Sequence, residues 1–478
     1  MNRKNYAAYY LPLFFILLNV VVKGFFLGSN SLGGDEPFSV YHSQQSLDNL
    51  FEIFSNENNP PLHFLVLHYW IKCFGISEIA VRIPSLIFSS LTVLFIYRIG
   101  KQFFNLRIAV YASIIFTFST YQVMFAHEAR AYALMGLLTA VSMFYYLRII
   151  LLKDQNKWNF CWFFLANALL IYTHFFGFFV LFVQCFFVLF QRNLLKEYNR
   201  FLLLFVGIML LAYSPYLTII LSRFSSSAGG TWVAPPTGID AFYEMLRALS
   251  NAPVTAVFTI AALVAGLIVL LVKRKQNPHR IATRLVLCWF YLPFIFMFVI
   301  SFRIPMFLDR YLMFAAIGFC LVVALSADFI LQKPKLRFLI PGFICLLFIV
   351  SVKPNKSNKR EVRETVKLVK SLENDSTLVL VAPVHFSLNF IYYYDRTLFQ
   401  NPDNELVQRE LNKRSLYCIN SLENVDYKNR KRIVLVDAAS NFSAPDNNIL
   451  NTLQTEFRET NKQHIEEIFD IYEFEQKK

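Results

Sequence analysis

The feature that most limits what this chain can become is a succession of apolar runs, each long enough to cross a bilayer and each bounded by charged or turn-forming residues. Windows of this kind fall at about 8–27, 82–99, 108–126, 131–152, 158–173, 175–190, 201–221, 253–272, 284–302, 311–330 and 337–352, eleven in all. In hydrocarbon, backbone polar groups must find partners within the chain, so these runs predict transmembrane helices and a polytopic α-helical membrane protein. The composition, 56% hydrophobic and 16% charged, fits that class. A net charge of +14 would suggest nucleic acid in a soluble protein. Here the Lys and Arg residues sit in short loops between apolar runs, as the positive-inside rule requires, and no nucleic-acid partner is expected.

A twelfth apolar run, "PPLHFLVLHYWIKCFG" at 60–75, is short and carries His63, His68 and Lys72. Charge decides its fate. With a cytoplasmic N-terminus and no crossing at Pro60, nineteen Lys and Arg fall at cytoplasmic ends of the spans and seven at the opposite ends. A crossing there would place nearly all basic loops outside. The run is therefore expected to lie along the outer membrane surface as a juxtamembrane helix. The first run follows Arg3 and Lys4 and lacks a small-x-small cleavage site, so it is expected to be retained as a helix. The seven cysteines, five of them inside apolar runs, imply no disulfide or metal framework.

Residues 1–352 thus read as a membrane domain whose first external loop is 28–81. From 353 to 478 the charge density rises. There "STLVLVAP" (376–383) and "RIVLVDA" (432–438) read as buried strands, and "KREVRETVKLVKSLEN" (359–374) as an amphipathic helix. A small C-terminal α/β domain on the external side is expected, either contacting substrate or standing as a folded appendage.

The unusual polar residues of the membrane domain fall on that same face. "GGDEPFSVYH" (33–42) sets Asp35 beside Glu36 after two glycines that permit a sharp turn and before Pro37, which favours entry into a helix. Such a pair is either a solvated cap or, in a dry interfacial pocket, a base able to take a proton from a hydroxyl acceptor. "HEARAY" (127–132) places His127, Glu128 and Arg130 at a helix boundary. Arg130, Arg82 and Arg310 either snorkel to lipid headgroups or grip a phosphate in bidentate fashion. His174, in "THFFG", is either a packed polar aromatic or a ligand. His127, Glu128 and His174 have donor types that suit a metal, although spacing alone gives this little weight.

Taken in order, "GGDEPFSVYH", a polar loop, "NNPPLHFLVLHYWIKCFGISEIAVRIPSLIFSSLTVLFIYRIGKQFF", "HEARAYALMGLL" and "DRYLMFAAIG" resemble the membrane glycosyltransferases of the GT-C superfamily. The nearest likeness is to the dolichyl-phosphate-mannose-protein mannosyltransferase-like group, glycosyltransferase family 39 with its aminoarabinose-transferase relatives. It is clearest over residues 30–150. The resemblance implies about eleven to thirteen membrane helices with juxtamembrane helices in the first external loop. It also implies transfer of a sugar from a polyprenyl phosphate to a protein, lipid A or surface-glycan acceptor at the external face of a bacterial inner membrane. Asp35 carries over as the catalytic base and Glu36 as its supporting neighbour. The acceptor hydroxyl would give its proton to Asp35 and attack the anomeric carbon with inversion. The departing phosphate would need positive charge, for which Arg130, Arg82 and Arg310 are the candidates in that order. No cofactor is required, and Glu128 with His127 are the residues that would hold a divalent metal if one takes part.

This chain departs from the pattern twice. Asn59 stands where many relatives carry a basic residue or His before the Pro. Tyr132 stands where the aminoarabinose enzymes carry a second carboxylate, with Glu128 one helical turn earlier. The alternatives are a polysaccharide polymerase or ligase acting on lipid-linked oligosaccharide, and a flippase or transporter. Transport predicts ionisable groups near mid-membrane rather than at one face.

Overall fold

The structure, a computed structural model, describes residues 3–56, 60–219, 221–222, 233–273, 277–356, 361–440, 448–465 and 469–477. Asn59 and Arg223 lie outside the described residues. The chain divides into two compact units. One comprises 1–27, 51–66 and 82–356, the other 28–50, 67–81 and 357–478.

The first unit is a helical bundle. Its elements are α1 (Arg3–Gly24), the ends of α3 (Leu47–Asn56) and α4 (Leu62–Phe74) that fall within it, most of α5 (Glu78–Phe103), α6 (Leu106–Thr117), α7 (Thr120–Ala126), α8 (Tyr132–Leu152), α9 (Lys157–Ile171), α10 (Gly177–Leu189) and α11 (Arg192–Tyr213). Helices Ile239–Leu249, Pro253–Val272, Arg280–Ile300, Met313–Ile330 and Leu339–Ser351 follow. Each of the eleven apolar windows falls on helical structure. Among the described residues six helices are long and apolar enough to span a membrane alone, or seven if α6 and α7 count as one broken span. The protein is therefore a multi-pass membrane protein. The run after Pro60 forms the 13-residue α4, about 20 Å at 1.5 Å per residue, and α10 and Leu339–Ser351, on two of the eleven windows, are equally short.

The segment 309–330 is the bundle's axis: 89% of its apolar window is buried, against 22% for the span that contains α11. Small residues permit this depth of packing. A Cβ on Gly266 would meet the Ser326 backbone at 2.5 Å, so only glycine lets Pro253–Val272 approach so closely. Polar side chains lock other helices together. Ser142 donates to Asn167 Oδ1 at 3.0 Å, the Gln184 amide donates to the Ser142 hydroxyl at 2.6 Å, and the Tyr146 hydroxyl donates to the Gln184 carbonyl, tying α8, α9 and α10.

Between α6 and α7 the axis bends by 60°. The groups freed at the break are satisfied by Asn251, in the left-handed region at φ 66°, which asparagine tolerates. Its Oδ1 accepts from the Thr120 amide at 2.6 Å, and its Nδ2 donates to the carbonyls of Phe118 and Phe348.

A buried carboxylate clasp ties α6 to the segments on either side of Leu331. Asp328 is fully buried and receives Arg107 Nε at 3.2 Å and Arg337 Nε and Nη2 at 3.0 and 2.6 Å. Both guanidiniums stay partly exposed. Asp328→Ala should therefore cost about 2 to 3 kcal/mol, below the full loss for a wholly buried pair, and thermal unfolding of the detergent-solubilised protein checks this.

In the second unit the strands β1 (Thr377–Ala382), β2 (Leu416–Cys418), β3 (Arg432–Ala438), β4 (Phe457–Ile465) and β5 (Phe469–Gln476) form one sheet in the order β2-β1-β3-β5-β4. β1 runs parallel to β2 and β3, with Ala382 opposite Asp437, while β5 is antiparallel to β3 and β4. The continuous apolar stretch "TLVLVA" is buried along its whole length, as parallel strands covered on both faces require. Leu378, Leu380, Ile433, Leu435 and Phe474 form the centre of one core layer. The helix Val362–Leu372 buries Val362, Val366 and Val369 on one face. The unit also takes in α2 (Glu36–Ser43) and the segments 28–50 and 67–81.

Candidate active site

In the second unit the carboxylate pair begins α2. Gly34 has φ +56°, a conformation open to glycine at little cost, and it turns the chain sharply before the helix. Pro37 occupies the first turn, where a missing amide proton costs nothing. The turn separates the two acids. Asp35 is exposed, and its carbonyl accepts the Ser39 amide at 3.1 Å to begin the helix. Glu36 is 5% exposed, and its Oε2 accepts the Gly33 amide at 3.3 Å, so it braces the turn that presents its neighbour. Behind them His68 Nδ1 donates to the Ser43 carbonyl at 2.9 Å, holding α2 to α4.

In the first unit the loops after α7 and α9 and the segment before Met313 converge at one end of the bundle. Backbone contacts fix them there. The Ser85 hydroxyl donates to the Glu128 carbonyl at 2.6 Å, the Leu62 amide to the Tyr172 carbonyl at 2.9 Å, and the Tyr121 hydroxyl to the Asp309 carbonyl at 2.6 Å. Here Arg130, Arg310, His174 and Tyr132 come together. The His174 ring stands 5.8 Å from those of Tyr132 and Tyr311, and Tyr311 stacks on Phe176 at 4.6 Å. Burial, then the charges of Arg130 and Arg310, push the His174 imidazole down to about 3. The Phe176 amide donates to its Nδ1, leaving the proton on Nε2. A neutral donor within reach of two guanidinium charges is suited to an anionic oxygen cluster. His63 bonds the Ala129 carbonyl through Nε2 at 3.1 Å, and burial lowers it to about 4, with Arg130 adding to the effect.

Two other sequence candidates have local structural contacts. Arg82 is buried and donates Nη1 to the Leu27 carbonyl at 3.0 Å. His127 directs Nε2 to the Lys23 carbonyl. Among the described residues no three His, Cys, Asp or Glu side chains are grouped as metal ligands. The sequence reading missed Lys23. It lies buried at the end of α1, with Nζ 3.0 Å from the Ser89 hydroxyl and 3.8 Å from the Phe116 ring centroid. A single lysine near a span end reads as a snorkelling side chain, so nothing local marked it.

The depressed histidines make stability depend on pH. Unfolded imidazoles protonate near 6.5, whereas His63 and His174 stay neutral in the fold until about 4 and about 3. Stability is therefore fully present above about 6.5 and is lost as pH falls, by about 1.4 kcal/mol per pH unit for each histidine. The melting temperature should drop between pH 7 and pH 5, and His174→Gln should flatten that slope.

Comparison with known proteins agrees with this architecture. The family model for dolichyl-phosphate-mannose-protein mannosyltransferase matches residues 58–219. No curated protein matches the sequence. Among solved structures, ArnT from Cupriavidus metallidurans in its apo state is similar with a TM-score of 0.63 at 13% identity, over 98% of both chains. The same protein bound to undecaprenyl phosphate gives 0.60 at 12%, over 97% of both. The apo oligosaccharyltransferase of Archaeoglobus fulgidus gives 0.53 at 11%, over 89% of this chain and 69% of that one. The chain thus carries the fold that ArnT and the archaeal oligosaccharyltransferase share, and part of it matches the mannosyltransferase family model.

Proposed function

We propose that the protein is an integral membrane glycosyltransferase that moves a sugar from a polyprenyl-phosphate donor to a hydroxyl acceptor at the external face of a bacterial inner membrane. The observation that carries this reading is a buried His174 ringed by Tyr132, Tyr311 and Phe176, with the charges of Arg130 and Arg310 near enough to hold it neutral. That cluster sits on a fold shared with an ArnT structure holding undecaprenyl phosphate. A phosphate that gains charge as it leaves needs fixed positive charge that does not reorganise during the reaction. Two guanidiniums held by converging loops supply it, and His174 Nε2–H offers a further hydrogen bond. The aromatic rings suit the apolar chain beside the phosphate.

In the mechanism proposed, Asp35 takes the proton of the acceptor hydroxyl, whose oxygen attacks the anomeric carbon. The bond to the lipid phosphate breaks with inversion, and the phosphate keeps the bonding pair beside Arg130 and Arg310. Glu36 holds the turn. Acceptors of this chemistry include a protein hydroxyl, lipid A and a surface glycan. The charge distribution of the loops supports a cytoplasmic N-terminus with Asp35 and the C-terminal domain on the external side.

Glycan length separates this reading from a polymerase or ligase. The purified protein, given a polyprenyl-phosphate monosaccharide or a polyprenyl-diphosphate oligosaccharide with an envelope extract, should make single additions from the monophosphate. A ladder or block transfer from the diphosphate alone would overturn it.

A further inference from the structure

We propose that the C-terminal α/β domain is the scaffold of the Asp35 turn, holding it through a relay in which Arg363 and Tyr393 share the Glu78 carboxylate and the Tyr393 hydroxyl receives the Leu32 amide. Every group in the relay belongs to the second unit. Arg363 Nη2 stands 2.6 Å from Glu78 Oε1, and the Tyr393 hydroxyl donates to that same oxygen at 2.7 Å. The Leu32 amide then donates to the Tyr393 oxygen at 2.6 Å. One step away the Arg363 amide donates to the Ser31 hydroxyl at 3.2 Å. The hydroxyl of Tyr393 is thus both donor and acceptor, and the bond to a carboxylate orients it for the amide three residues before Asp35.

Both sides of the turn are anchored in the same way. After Asp35, the Tyr41 hydroxyl in α2 donates to Asn404 Oδ1 at 2.7 Å, and its ring meets Phe399 edge-on at 5.7 Å. The Tyr392 hydroxyl donates to the Ile76 carbonyl at 2.7 Å, fixing the segment that ends at Glu78. Leu32 and Tyr392 are fully buried and Tyr41 nearly so. Residues 357–478 therefore supply partners immediately before and after the carboxylate pair, so the domain is more than an appendage. Glu78, Arg363 and Tyr393 are positioning residues that act through the backbone carrying Asp35. Displacement of a reacting group by about 1 Å can cost about 10²-fold in rate, so loss of one anchor is readable in turnover.

The inference rests on Asp35 as the base, and its test has a readout independent of transfer. Full-length Tyr393→Phe and wild-type protein in nanodiscs would be compared by hydrogen–deuterium exchange and by donor-concentration kinetics. Tyr394→Phe is the control, since the Tyr394 hydroxyl bonds Glu373 instead. In Tyr393→Phe, exchange over residues 31–36 should accelerate about tenfold while β1 and β3 keep their protection. The kcat should fall about tenfold with the donor KM unchanged, and Tyr394→Phe should alter neither. Glu78→Gln, which removes the charge but keeps an acceptor, repeats the reading should Tyr393→Phe fail to fold. Unchanged exchange in the folded variants would overturn the scaffold. Faster exchange with unchanged kcat would overturn its role in positioning the base. Wild-type protein that transfers nothing from any polyprenyl-phosphate sugar would defeat the functional reading, and the exchange result would still decide whether the domain holds the turn.

Discussion

Asp35→Asn protein is expected to bind its lipid donor as wild type does and to transfer sugar about 10² to 10⁴ times more slowly. That range is what a positioned general base contributes when a hydroxyl has to lose its proton as it attacks. The exchange replaces one carboxylate oxygen by an amide that cannot take a proton, at a side chain that is exposed and whose helix is started by its carbonyl. A loss of transfer with an unchanged melting temperature and donor affinity separates a missing base from a collapsed turn. Glu36 should behave otherwise. Its carboxylate is buried against the Gly33 amide, so Glu36→Gln keeps an acceptor in place.

Arg130→Ala should lower transfer by about 10² to 10³, the usual loss when one preorganised group facing developing charge is removed. Unlike Asp35→Asn it should also weaken donor binding, because the phosphate carries charge before the reaction begins. Arg130→Lys should recover part of the loss, since a lysine restores the charge but not the planar fork. Binding of labelled polyprenyl phosphate, measured beside turnover, reads the two effects separately.

Much of this architecture was legible in the sequence, for definite reasons. Helix positions follow from apolar length, and among the described residues the windows fall on helical structure, with six or seven helices long and apolar enough to span. The strands β1 and β3 were legible because a doubly covered strand is apolar throughout. β4, "FRETNKQHI", was not, because an exposed edge strand carries polar side chains that read as loop. The break between α6 and α7 was hidden because apolar character continues across Phe118, while the residue that satisfies it, Asn251, lies far along the chain.

The site divides in the same way. Asp35 and Glu36 are marked locally by two glycines, a proline and their adjacency. Their unlike surroundings, one exposed and one buried, depend on how the turn is held. Arg130 and Arg310 could be named as cations, but a neutral His174 follows from burial and from their charges, which come from other parts of the chain. The anchoring of the turn by Arg363 and Tyr393 was invisible, since each lies more than three hundred residues along the chain from the turn it supports.

The most direct measurement of the central claim is label transfer by the purified wild-type protein and Asp35→Asn, each given sugar-labelled polyprenyl phosphates and an envelope extract. The account predicts that wild type moves label to an acceptor and releases one polyprenyl phosphate per sugar, while Asp35→Asn does so at least about a hundredfold more slowly. Equal transfer by the two proteins would contradict Asp35 as the base, and no transfer from any polyprenyl-phosphate donor would contradict the reaction itself.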